Sequence, residues 1–223
     1  MDWNRYLSDQ DRDVVELSGY ASRGGVTDNV ALLVIDATYA FCGDRPEPIL
    51  ESVTRFRNSS GDIAWRALEG IARLVDAARV GGKPVIYTRG LGAESIAAGR
   101  WASKNTRASE DMDEHHEIVA EVAPKTGDVV LRKAKPSAFF GTPLTSILVD
   151  HGVDSLIVCG GTTSGCVRAT VVDAFSLNYS IAVPHQATFD RIEASHWVSL
   201  FDMDLKYADV TTVPEMGRVL KGH

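Results

Sequence analysis

The chain has 223 residues, of which 44% are hydrophobic and 24% charged, and a formal net charge of −7 at pH 7. That balance describes one globular unit long enough to bury a sizeable core, and its acid excess, with no basic cluster, excludes nucleic acid or a membrane surface as an expected partner. No apolar run approaches the ~18 residues of a membrane span. The polar, acidic start MDWNRYLSDQDRD reads as neither signal nor transit peptide, and three cysteines without a C-x-x-C pair fit reduced thiols in a cytoplasm.

The first 25 residues read as an N-terminal arm and residues 26–223 as the single domain. NVALLVID (29–36) is a continuous apolar run ending in a carboxylate, the pattern of a buried parallel strand. Residues 64–80 place Trp65, Leu68, Ile71, Leu74 and Val75 at helical spacing, and Gly81 and Gly82 stop that helix. KPVIYTR (83–89) is the next strand; 90–127 is polar and irregular, with a short helix expected near EHHEIVAEV. DVVLRK (128–133) is a strand, followed by a helix over 142–151 with Thr142 as N-cap and Pro143 in the first turn. DSLIVCG (154–160), SIAVPHQ (180–186) and ADVTTV (208–213) are strands, alternating with helices over 165–177 and 194–206. Six strands alternating with helices predict an α/β fold, a mostly parallel sheet covered on both faces.

In such sheets functional groups gather at the carboxyl ends of the strands. Here those ends carry Asp36, Lys133 and, one glycine-rich turn after a strand, Cys166. Singly, each has an ordinary structural reading: a turn cap, a solvated lysine, a buried small hydrophobe. Jointly they supply a thiol nucleophile, a base and a cation. The helix start and the Lys133 ammonium favour a thiolate. Asp36 can take the thiol proton and return it to a leaving nitrogen. In the GGTTSGC turn, the N–H groups of Thr162 and Cys166 can hold an oxyanion.

ALLVIDATYAF around Asp36, RKAKPSAFFGTPL around Lys133 and CGGTTSGCVRATVVDAF around Cys166, in this order and spacing, resemble the isochorismatase-like cysteine hydrolases over nearly the whole chain from residue 30 onward. The resemblance implies a Rossmann-like three-layer sandwich, an Asp36–Lys133–Cys166 triad, a cis peptide at Gly161–Thr162 and a homodimer or homotetramer. The cysteine favours C–N cleavage over the vinyl-ether hydrolysis of family members that lack it. The family's nicotinamidases carry a metal on a D-x-H motif after the second strand. YTRGLGAESIAAGRW has no histidine there, so neither metal nor cofactor is expected, and the adjacent His115 and His116 are expected in solvent.

The tail ATFDRIEASHWVSLFDMDLKYADV is similar to N-carbamoylsarcosine and maleamate amidohydrolases. That likeness puts Arg191 at a substrate carboxylate or ureide carbonyl; the structural alternative is an Asp190–Arg191 surface pair. Thr38 stands where the family more usually has glutamine. Phe41, Trp101 and Tyr87 are candidate pocket walls, at least one of them plain core. Cys159 is expected to be buried filler and Cys42 to lie in the loop after Asp36. The expected substrate is a small linear amide or ureide. A non-amide, ether-type hydrolase and a catalytically silent binding member are the alternatives.

Overall fold

The computed structural model describes residues 2–91, 100, 103–104, 106–107, 110 and 112–222. Seven strands form one sheet: β1 (Val30–Ile35), β2 (Val85–Gly90), β3 (Val129–Lys133), β4 (Ser155–Gly161), β5 (Ser180–Pro184), β6 (Thr188–Phe189) and β7 (Asp209–Thr211). The order is β3-β2-β1-β4-β5-β7, with β6 added beside β4, and every pairing is parallel. The six expected strands are all present; β6, only two residues long, is the seventh.

β1 shows why the sheet is covered on both faces. All six of its residues are buried, and successive side chains leave on opposite sides. Val30, Leu32 and Val34 enter one core, beneath helices α4 (Asp62–Val80) and α8 (Val213–Lys221). Ala31, Leu33 and Ile35 enter the other, beneath α5 (Leu144–Asp150), α6 (Arg168–Ser176) and α7 (Glu193–Lys206). The α4 stripe of Ala64, Ala67, Leu68, Ile71, Leu74, Val75 and Ala78 follows the helical period and is buried.

Several local expectations need correction. The helix foreseen near EHHEIVAEV is two separate 3-10 turns, Asp113–His116 and Ala120–Val122. The helix at 142–151 begins only at Leu144, but Thr142 still serves its end: its Oγ1 accepts the Leu144 N–H at 3.2 Å. α8 was not expected; Thr212 caps it by accepting the Glu215 N–H at 3.3 Å. Before β1, Trp3 packs near the Phe201 ring at 6.1 Å between centroids, and helix α1 (Asp9–Ser18) carries a Ser8–Asp11 capping box but buries no residue. The loop after β1 folds into α2 (Tyr39–Cys42) and α3 (Ile49–Arg55). Among the described residues, no helix is long and apolar enough to cross a membrane.

Candidate active site

The strand order reverses direction between β1 and β4, and a crevice opens outside their carboxyl ends. Asp36 is the first residue after β1. It adopts φ 46°, a left-handed conformation that costs a non-glycine residue about 1–3 kcal/mol and persists only where its surroundings hold it. Those surroundings are specific. The Asp36 N–H donates to the Thr88 carbonyl at 3.2 Å. Thr88 Oγ1 donates to Asp36 Oδ1 at 2.8 Å, and Lys133 Nζ, at the end of β3, donates to Oδ2 at 2.7 Å. The Lys133 and Asp36 side chains are 3% and 1% exposed, so this ion pair is fully desolvated.

Cys166 reaches the same place from β4. Gly160 takes φ 103°, and a Cβ there would collide with the Ile35 carbonyl, so the two central strands close up where the crevice begins. The Gly161–Thr162 peptide bond is cis. A π-helical turn, Thr163–Val167, follows, kinked at Gly165, and regular α6 starts at Arg168; Cys166 thus lies in the turn before the helix rather than in its first turn. The turn is tied down on several sides. Gly165 and Val167 N–H groups converge on the Thr162 carbonyl at 3.0 and 3.2 Å. The Ser164 N–H and Oγ both donate to Asp190 Oδ2 at 2.7 Å. Thr163 Oγ1 donates to the Phe189 carbonyl at 3.1 Å, leaving it to accept from His196 Nδ1 at 2.8 Å.

The Cys166 thiol lines the same cleft as Asp36 and Lys133. It is only partly exposed, and burial pushes its pKa up to about 12; Lys133 pulls it down, while Asp36 adds to the rise. Burial works against the Lys133 ammonium, yet Asp36 and Cys166 outweigh it and its pKa is raised. Burial thus opposes, and Lys133 favours, the thiolate that the helix start and the lysine led one to expect.

A narrow cleft, with a cavity volume of about 40 Å³, opens above these groups. Asp36, Lys133, Cys166, Phe41, His116 and Lys135 are among its walls. His116 is thus not solvated: it is 2% exposed, while His115 turns away to the Phe56 ring at 5.0 Å. Adjacent residues of a 3-10 turn diverge, and a sequence pair HH does not say which one faces inward. Thr38 is wholly buried beside Asp36, and Tyr87 is core, its hydroxyl accepting from Arg79 at 3.3 Å. Arg191 is half-buried and is not one of the cleft's lining residues; its Nη1 donates to the Asn58 carbonyl at 2.8 Å. The alternative Asp190–Arg191 surface pair is not formed either, since Asp190 is buried and bonded to Ser164. Trp101 lies outside the described residues. Cys42 and Cys159 are buried, and burial raises both thiol pKa values. Among the described residues, no group of three or more His, Cys, Asp or Glu side chains is placed to hold a metal.

Residues 30–215 match the isochorismatase domain model. A maleamate amidohydrolase from Pseudomonas putida is 38% identical over 151 residues, covering 66% of this chain and 70% of that protein. An N-carbamoylsarcosine amidase from Arthrobacter is 33% identical over 160 residues, covering 69% of this chain and 61% of that protein. Among solved structures, a cysteine hydrolase from Pseudomonas syringae pv. phaseolicola superposes with a TM-score of 0.78 at 23% identity, covering 90% of this chain and 96% of that one. An N-carbamoylsarcosine amidase from Thermoplasma acidophilum gives 0.65 at 28% identity, covering 82% and 96%. With a parallel sheet of the same architecture and a family match over residues 30–215, the chain belongs to the isochorismatase domain family.

Proposed function

We propose that this protein is a cysteine-dependent amidohydrolase that cleaves a C–N bond of a small linear amide or ureide and releases ammonia. The observation that carries this reading is the meeting of Asp36, Lys133 and Cys166 in one cleft, with the acid and the cation paired at 2.7 Å. The names of the two sequence relatives, an amidohydrolase and an amidase, support amide chemistry at family level.

Burial disfavours the thiolate in the resting cleft. Attack therefore needs a base at the moment of bond formation. Asp36 takes the Sγ proton as sulfur adds to the substrate carbonyl. The N–H groups of Thr162 and Cys166 hold the oxyanion. Asp36 returns the proton to the leaving nitrogen, ammonia departs, and an acyl thioester remains on Cys166. Water, deprotonated by Asp36, then adds to the thioester, and the thiolate leaves and is reprotonated. Lys133 stays paired with Asp36 and offsets negative charge throughout. In this scheme Phe41, Thr38 and Trp101 shape the pocket, Arg191 binds the substrate's carboxylate or ureide carbonyl, and neither metal nor cofactor takes part. The working unit is proposed to be a cytoplasmic homodimer or homotetramer.

The test is ammonia release from a panel of N-carbamoyl amino acids, maleamate-like acids and biuret-like ureides, run beside Cys166→Ala. Release by the unaltered enzyme and none by the variant is expected. No release from any member, with Cys166 inert to iodoacetamide, would favour a binding role.

A further inference from the structure

We infer that His196 and Asp190 are positioning residues: they hold Thr163 and Ser164 and so aim the Thr162 and Cys166 N–H groups at the substrate's developing oxyanion. This rests on the amidohydrolase reading above. Thr163 and Ser164 lie between the two proposed oxyanion donors, in the π-helical turn kinked at Gly165. Neither lines the cleft; both are bonded to the segment that begins with β6. Thr163 Oγ1 gives its one proton to the Phe189 carbonyl at 3.1 Å, so His196 Nδ1, 2.8 Å away, must be the donor to it. Asp190 Oδ2 accepts the Ser164 N–H and the Ser164 hydroxyl, each at 2.7 Å. β6 pairs Phe189 with Gly161, where a Cβ would collide with the Phe189 ring. Residues 189–196 therefore grip the chain at Gly161, Thr163 and Ser164.

Stability alone does not favour this grip. Asp190 is 4% exposed, and among the described residues no lysine or arginine side chain pairs with it. Its neighbour Arg191 donates to the Asn58 carbonyl instead. Only the Ser164 groups and nearby backbone N–H groups meet the Asp190 carboxylate, and a buried charge without a counter-ion is costly. His196 is buried enough that its charged form is disfavoured, which leaves it a neutral donor at pH 7. The Gly165 and Val167 N–H groups converge on the Thr162 carbonyl, so the peptides before and after the Cys166 N–H are fixed as well. Oxyanion donors act by being aimed before charge develops. Two buried titratable side chains placed on one five-residue turn suit that need, and a supporting shell of this kind is what keeps a site's geometry tight.

The experiment measures kcat and KM for the panel substrate that the unaltered enzyme turns over fastest, with folding of each variant checked by circular dichroism. His196→Ala should lower kcat by about ten- to a hundredfold with KM moved by less than about threefold, because the lost alignment matters in the transition state. Asp190→Asn should lower kcat in the same way. Thr163→Val should match His196→Ala, and the double variant should lose no more than either. His196→Asn carries an N–H donor near the place of Nδ1 and should recover most of the rate. His196→Gln carries its donor one bond further out and should not; this pair keeps the test open if His196→Ala does not fold. Alkylation of Cys166 by iodoacetamide, a displacement that forms no oxyanion, should stay near the parent rate. A merely structural histidine would lower the melting temperature, leave kcat of the folded protein unchanged and show no difference between Asn and Gln. That result, or losses that multiply in the double variant, overturns the inference and leaves the amidohydrolase reading standing. No ammonia from any panel member with the unaltered enzyme overturns that reading, and this one with it.

Discussion

Lys133→Met takes the ammonium from beside Asp36 and leaves a side chain of similar length. The pair is closed at 2.7 Å, with side chains 3% and 1% exposed, so water cannot replace the lost partner. Breaking one side of a buried pair costs about 3–5 kcal/mol, because the other charge is stranded. Thr88 Oγ1 still donates to Asp36 Oδ1, which places the expected loss toward the lower end. For a chain of 223 residues each kcal/mol moves the melting temperature by about 2–4 °C, so a fall of about 6–20 °C is expected. Thermal unfolding followed by circular dichroism at pH 7 and pH 9 measures it. The sign of the pH dependence follows from Lys133, whose folded pKa is raised above the unfolded value of about 10.4. Its stabilisation is fully present below that value and is lost as pH rises through the folded pKa. The difference between variant and parent should therefore be the same at pH 7 and pH 9. The double variant Asp36→Asn/Lys133→Met should recover much of the loss, since no charge is then stranded. A Lys133→Met melting temperature within about 2 °C of the parent would refute the reasoning about a desolvated pair.

Cys166→Ala should abolish turnover with the fold retained, and Asp36→Asn should do the same; more than a few per cent of activity in Cys166→Ala would sink the covalent route. Arg191→Ala should lower kcat/KM by about ten- to a hundredfold, with little recovery in Arg191→Lys, because a point charge does not replace a two-pronged donor; alkylation of Cys166 by iodoacetamide should be unaffected. His196 has a pKa lowered to about 4, chiefly by burial, so its contribution to stability is present above the unfolded value of about 6.5 and is lost as pH falls through about 4. Urea unfolding between those pH values should show a loss on the order of 2 kcal/mol, after discounting for its partial exposure, and His196→Asn should flatten that slope.

The order of the sheet's principal elements was legible because its strands are buried on both faces and read as continuous apolar runs, NVALLVID above all. β6 was not, because Thr188–Phe189 is two residues held by a neighbour and has no pattern of its own. α8 was missed because its strand reading ran on through Val213, the residue that begins the helix. That Asp36, Lys133 and Cys166 would come together was legible because each lies at or just after a strand end and the sheet brings strand ends together. The rise in the thiol's pKa could not: it comes from how much water the folded cleft excludes. His116 was hidden for a related reason. Its inward turn depends on the contact with Gly90, 26 positions earlier in the chain, and no local periodicity records it.

The central claim is that substrate carbon becomes bonded to Cys166. Intact-mass spectrometry of enzyme quenched in acid during turnover of an N-carbamoyl substrate tests it directly. The account predicts an adduct equal to the substrate less ammonia, mapped to the peptide containing Cys166 and absent from Cys166→Ala. Ammonia release at the parent rate by Cys166→Ala, with no adduct on the unaltered enzyme at any time of quenching, would contradict it.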